Sequence, residues 1–188
     1  TWFRLHGGLY GLGCPAKPLK QLVAAGLLGR PLTVRVSPHT GFAWKLQYWC
    51  GRTDLVPRTP PAHFDYDFWL GPAPARPYHP HRTHNSFRGY WDYDGGGLAD
   101  MGQHYLDPVQ YILDKDHTSP VEVEARAPWP CHPDAVGRWG RVELRYADGD
   151  RIILESGEFG CHGTRGKPYL EGPDRKSTRL NSSHRYVS

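Results

Sequence analysis

No stretch of the 188 residues is apolar over the roughly 20 positions that a bilayer-spanning helix needs, so the chain carries no transmembrane signal. Its four cysteines, Cys14, Cys50, Cys131 and Cys161, lie far apart and form no Cys-x-x-Cys. That spacing argues against a zinc knuckle or a redox pair and leaves isolated thiols, or disulfides in an exported protein. No internal repeat is visible. A dinucleotide-binding Rossmann half would show a strand, Gly-x-Gly-x-x-Gly and a helix, with an acid about twenty residues on. No segment fits. Gly7-Gly8 and Gly11-Leu12-Gly13 follow no apolar strand, and Cys14-Pro15 interrupts any helix after them.

A cationic stripe is also missing. The formal net charge is +4, but Asp174 to Ser188 holds Arg175, Lys176, Arg179 and Arg185 against one acid, and without that segment the charge falls to +1. The remaining Lys and Arg are scattered, which leaves no surface suited to a phosphate backbone, so nucleic acid is not an expected partner. The segment itself has no apolar period. One reverse translation of Asp174 to His184 matches a common sequencing-library adapter, and Arg185 to Ser188 fit the codons that would follow it. Residues 174–188 are therefore read as an artefact, ahead of the alternative of a natural disordered polar tail. Residues 1–16 read as a remnant or misread start, and the chain as truncated at its N-terminus. With that end missing no export signal can be judged, and the cytoplasm is the default compartment.

What is present is a chain with 38% apolar and 13% aromatic residues, enough for one core of modest depth. Its 22 glycines and 18 prolines imply many loops, densest between Val56 and Pro80. Leu19, Leu22, Val23 and Leu27 recur at helical spacing and predict a helix over 18–28, closed by Gly29-Arg30-Pro31. Thr33 to Val36 predicts a strand, and the aromatic run Phe42 to Trp49 a second strand or a lid. A longer helix is expected over 98–113. Val121 to Ala125 and Arg141 to Tyr146 alternate as strands with one wet face do, and Asp148-Gly149 turns the second of them back into Arg151 to Glu155. The expected fold is α+β: a mostly antiparallel open sheet with helices on one face.

The densest chemistry lies between Arg88 and Asp107. Asp100 and His104 are four residues apart, a spacing that puts both on one face of a helix, where a carboxylate beside an imidazole can form a general base. Gly95, Gly96 and Gly97 leave the helix entrance without side chains, so backbone N–H groups and the positive dipole end could meet an anionic or polar ligand. Arg88, Tyr90, Trp91 and Tyr93 bring a cationic donor and aromatic walls to the same place, as polyol pockets do. Asp107 could support the pair or be a solvated or capping carboxylate beside Pro108. His79, His81 and His84 form a His-x-His-x-x-His cluster with no Cys or acid nearby to complete a metal shell. A solvated loop at the pocket rim is the preferred reading, and no metal site is assigned.

Trp69-Leu70-Gly71-Pro72-Ala73-Pro74, Phe87-Arg88, Gly95-Gly96-Gly97, Asp100-Met101-Gly102-Gln103-His104 and Asp107-Pro108, in this order and spacing, resemble the C-terminal domain of the Gfo/Idh/MocA oxidoreductases. Leu19 to Arg35 is similar to the segment that leads into that domain, and the resemblance covers about Lys17 to Glu158. It implies an incomplete substrate domain over 17–173, whose sheet face serves for homo-oligomer contact. It also implies His104 as the base taking a hydroxyl proton from a sugar or cyclitol, with Asp100 orienting the imidazole or bonding the substrate. NAD or NADP would be held mainly by a Rossmann domain this chain lacks, with the Gly95–Gly97 turn beside it. The family's catalytic Lys, in a Glu-Lys-Pro motif, has no counterpart here, so the fragment alone is expected to be inactive. The alternative is a non-catalytic carbohydrate-binding or oligomerisation module on the same fold.

Overall fold

A computed structural model describes residues 16–38, 50–127, 131–156, 165, 167 and 169–174. The aromatic run 42–49 and the segment 175–188 lie outside the described residues. The chain divides into two compact units: residues 1–44, 103–127 and 139–188 form a sheet unit, and residues 45–102 and 128–138 form a loop-rich unit.

The sheet unit opens with helix α1 (Ala16–Ala24), which buries Ala16, Leu19 and Val23 along one face while Leu22 stays outside. The helix ends earlier than the apolar spacing predicts. Gly26 adopts φ +69°, a left-handed conformation that glycine accepts without penalty, and its N–H returns to the Val23 carbonyl at 3.0 Å. Strands β1 (Thr33–Val36), β2 (Glu122–Arg126), β3 (Arg141–Arg145), β4 (Arg151–Glu155) and β5 (Leu170–Glu171) form one sheet in the order β2-β3-β4-β1-β5. Of its four pairings only β1 with β4 is parallel, so among the described residues the sheet is mixed, open and mostly antiparallel. The α+β class expected from the sequence is the one observed.

The register sets Val34, Val36, Val142, Leu144, Ile152, Leu154 and Leu170 on one face, all of them buried. The other face departs from the expected wet surface. Glu143 is buried at its centre and collects Arg141 at 2.5 Å, Arg145 at 3.0 Å and Arg151 at 3.7 Å, while Arg145 also bonds Glu122 and Glu124 on β2. A buried carboxylate is tolerable only when so compensated. β2 departs the other way, for it is an edge strand and Val123, on its apolar side, is 58% exposed, as is Val121 just before it at 69%.

Helix α3 (Gly96–Leu113) begins in the loop-rich unit and ends in the sheet unit, where Tyr105, Val109, Ile112 and Leu113 are buried. It runs through Pro108, which has no N–H to offer the His104 carbonyl four residues earlier. Its end is tied down by charge. Lys115, 4% exposed, meets the fully buried Asp150 at 2.9 Å and also Asp148, while Asp150 takes the Leu32 N–H at 2.8 Å and the Arg30 guanidinium.

The loop-rich unit holds helix α2 (Tyr66–Leu70), started by Asp65 accepting the Phe68 N–H at 2.9 Å, and 3₁₀ turns at Pro80–Arg82 and His84–Gly89. Its interior is built on backbone approach. A Cβ on Gly89 would lie 2.3 Å from the Gly51 nitrogen, and the Val136 N–H reaches the Gly89 carbonyl at 2.8 Å while the Gly51 N–H reaches Val136 at 2.9 Å. Tyr90 fills the centre with its ring fully buried.

Candidate active site

Within the loop-rich unit an open cleft of about 800 Å³ is walled by Phe64, Trp69, Phe87 and Tyr93, with Asn85, Arg88 and Asp92 among its polar groups. The walls brace one another. Trp69 stacks on Tyr66 at 5.8 Å and meets Tyr93 edge-on at 5.2 Å, Tyr66 meets Tyr78 edge-on at 5.1 Å, and His84, held at φ +51°, stacks on Phe64 at 6.5 Å. Offset and edge-to-face pairs at these separations are favourable arrangements, so the aromatic surface is set in place by its own contacts. Burial, together with the neighbouring Tyr93 hydroxyl, pushes the Tyr66 phenol up to about 12.

The polar groups are held as firmly. Arg88 Nε donates to Asp100 Oδ2 at 2.5 Å, with both side chains mostly covered, and Arg76 Nε donates to Asp92 Oδ2 at 2.6 Å. Asp94 accepts the Gly95 N–H at 2.6 Å, and burial raises its carboxyl above the usual aspartate range, the Asp100 charge adding to the effect against Gly95 and Arg88. A carboxylate thus already sits at the entrance to α3. Gly96 and Gly97 are buried there, Gly96 with φ +73°, and a Cβ on Gly95 would come within 2.7 Å of the Ala99 methyl.

The residues singled out in the sequence divide by position. Asp100 and His104 are half-buried and one turn apart on α3, and Asp107 follows on the same helix. Arg88 and Tyr93 face the cleft. Tyr90 lies beneath it: its hydroxyl contacts His81 Nδ1 at 2.7 Å and takes the Arg52 N–H at 3.3 Å, and the Arg82 guanidinium covers its ring at 4.5 Å. Its place is in the scaffold of the loop. Trp91 points elsewhere, half-exposed, and its indole N–H donates to the His132 carbonyl at 3.2 Å.

The three histidines serve separate purposes. His79 accepts the His81 N–H at 3.0 Å, His81 pairs with Tyr90, and His84 stacks on Phe64. Among the described residues no three His, Cys, Asp or Glu side chains are grouped to hold a metal ion. Sequence reading passed over Asp92, Asp94, Asn85 and, of the aromatic walls, Phe64, Trp69 and Phe87 as site residues. The available signal was two aromatic clusters, Phe64 to Trp69 and Phe87 to Tyr93, and an acid directly before the glycine triplet.

A family model described as an oxidoreductase family, C-terminal alpha/beta domain, matches residues 12–184. No curated protein matches the chain.

Proposed function

Since the chain belongs to the Gfo/Idh/MocA oxidoreductases as their C-terminal α/β domain, we propose that it is the substrate side of a nicotinamide-dependent dehydrogenase acting on a secondary alcohol of a sugar or cyclitol. The observation that carries this reading is α3 itself, an unbroken helix that presents Asp100 and His104 one turn apart directly after the glycine triplet. His104 takes the hydroxyl proton as the adjacent C–H bond gives up its electron pair with the hydrogen, leaving a ketone. Asp100, fixed by Arg88, orients the imidazole or accepts a substrate hydroxyl. Tyr93 and Arg88 form the substrate wall, and Asp107 supports the helix face.

When bound, NAD or NADP supplies the hydride acceptor. The residues at the α3 entrance fit its nicotinamide end better than its diphosphate. The Gly95–Gly97 turn offers no side chains, and the Asp94 carboxylate on the Gly95 N–H suits a cationic ring but repels a second anion. Phosphate recognition falls to another domain. Exposed Val123 on β2, with Val121 just before it, leaves apolar surface uncovered on the sheet, which supports a homo-oligomer formed through the sheet face.

The test is NADH formation on a polyol panel by the protein carrying its dinucleotide-binding domain. His104→Ala abolishes it while cofactor affinity stays nearly unchanged. An unchanged rate refutes the assignment, and polyol binding without any oxidation in the parent protein would favour a carbohydrate-binding module in its place.

A further inference from the structure

Building on the dehydrogenase reading, we propose that the aromatic cleft of the loop-rich unit holds a second pyranose ring, so that the substrate is a glycoside of two or more rings and not a free monosaccharide or cyclitol. The argument begins with size. A cleft of about 800 Å³ is in the range that encloses ligands of several rings, and one pyranose would leave most of it to water.

The lining then selects the chemistry. A pyranose has an apolar face of C–H bonds and a rim of hydroxyls that both donate and accept. Phe64, Trp69, Phe87 and Tyr93 offer flat apolar surface, and Asn85, Arg88 and Asp92 supply donors and acceptors beside it. An acyl chain would make no hydrogen bond with any of those polar groups and would displace water from them. A phosphate or other anion would meet Asp92 directly, and Arg88 already carries the Asp100 carboxylate.

Preorganisation is the third observation. Trp69 is fixed from two sides by Tyr66 and Tyr93, Asp92 by Arg76, and Arg88 by Asp100, so a ligand would order few side chains on arrival. Arg88 both lines the cleft and bonds Asp100, so one side chain separates the aromatic wall from the α3 carboxylate. On this proposal a ring lying on Trp69 and the ring presented to Asp100 are parts of one molecule that meets Arg88 between them.

The experiment is calorimetric titration of the 188-residue chain with cellobiose, maltose and lactose, set against methyl β-glucopyranoside and myo-inositol. At least one disaccharide binds tenfold or more tightly than both single-ring ligands, and Trp69→Ala removes that advantage. Because Trp69→Ala could disturb the aromatic cluster, Asn85→Ala at the exposed rim is the second variant, lowering disaccharide affinity severalfold at an unchanged melting temperature. Equal affinity for one-ring and two-ring ligands, no binding by any of the five, or disaccharide affinity indifferent to both substitutions would overturn the proposal. Polyol oxidation by the enzyme is read separately. Oxidation without a second-ring preference overturns the subsite alone, and disaccharide binding without oxidation overturns the dehydrogenase reading alone.

Discussion

Arg88 and Asp100, twelve residues apart in sequence, meet with Nε at 2.5 Å from Oδ2, so the acid of the α3 motif is held by a cation from the preceding 3₁₀ turn. The contact joins the wall of the cleft to the helix that carries Asp100 and His104, the pair proposed above for catalysis. Each side chain keeps 22% of its surface exposed, which places the pair between a surface bridge and a buried one.

That intermediate position sets the expected energy. A double-mutant cycle of Arg88→Gln and Asp100→Asn, followed by urea denaturation, should give a coupling of about 1–2 kcal/mol, above exposed ion pairs and below fully buried ones. Arg88→Lys should recover only part of it, because an ammonium does not reproduce the guanidinium fork. A coupling indistinguishable from zero would show that the two groups do not depend on each other.

Asp94 makes a prediction through pH. Burial raises its carboxyl in the folded state, so between the ordinary aspartate value and the raised one the native protein binds more protons than the unfolded chain. Its contribution to stability is therefore best at low pH and is lost as pH rises through the folded value. Asp94→Asn keeps the acceptor for the Gly95 N–H and removes the charge. Denaturation midpoints across pH 3 to 8 should thus converge for the two proteins at the acid end, with the variant the more stable above it. A variant less stable than the parent at neutral pH would mean that the negative charge at the α3 entrance is a net benefit.

The sequence disclosed the parts whose causes are local. The alternation around β3 and β4, the Asp148-Gly149 turn between them, β1, and α3 are all read from period and turn chemistry. Pairing β1 in parallel with β4 needs partners more than a hundred residues apart, and no local period reports it. The burial of Glu143 was hidden for the same reason: alternation alone sets Arg141 and Arg145 on its face of β3, but only the register flanks it with β2 and β4 and brings Arg151 to it. In the site, spacing gave Asp100 and His104 on one helix. It could not say that Tyr90 would turn inward to His81 while its neighbours in sequence, Arg88 and Tyr93, line the cleft, because in loops side-chain direction follows the irregular path of the backbone.

Two glycines outside the recognised motif test how that loop is built. Gly89→Ala would drive a methyl to within 2.3 Å of the Gly51 backbone nitrogen, where rigid main chain cannot give way, and should cost about 2–3 kcal/mol or prevent the unit from closing. Gly137→Ala, with nothing within 4 Å of the added carbon, is the control and should stay within about 0.5 kcal/mol of the parent. Urea denaturation of both variants checks the contrast. Similar losses at the two positions would show that backbone approach is not what limits residue 89.

The buried charges at the end of α3 give the largest expected effect. Asp150 is fully buried and accepts from Arg30, Lys115 and the Leu32 N–H, so Asp150→Ala takes the acceptor from a buried backbone donor and leaves the buried Lys115 ammonium, with Arg30, to Asp148 alone. Removing one partner of a buried ion pair typically costs about 3–5 kcal/mol, and this substitution should fall in that range. Lys115→Met leaves Asp150 with Arg30 and Leu32, and its aliphatic stem can still pack on Tyr146, so its cost should be smaller, about 2 kcal/mol. Lys115 also bears on acid lability. Burial pushes the Asp148 carboxyl up, but the Lys115 ammonium and the Asp150 N–H outweigh it and hold the group below its ordinary value. Stability from Asp148 is accordingly present above that ordinary value and lost as pH falls through the depressed one. In Lys115→Met the acid limb of the stability profile should flatten. If Lys115→Met proves as damaging as Asp150→Ala, the lysine and not the aspartate is the hub that secures α3 to the sheet.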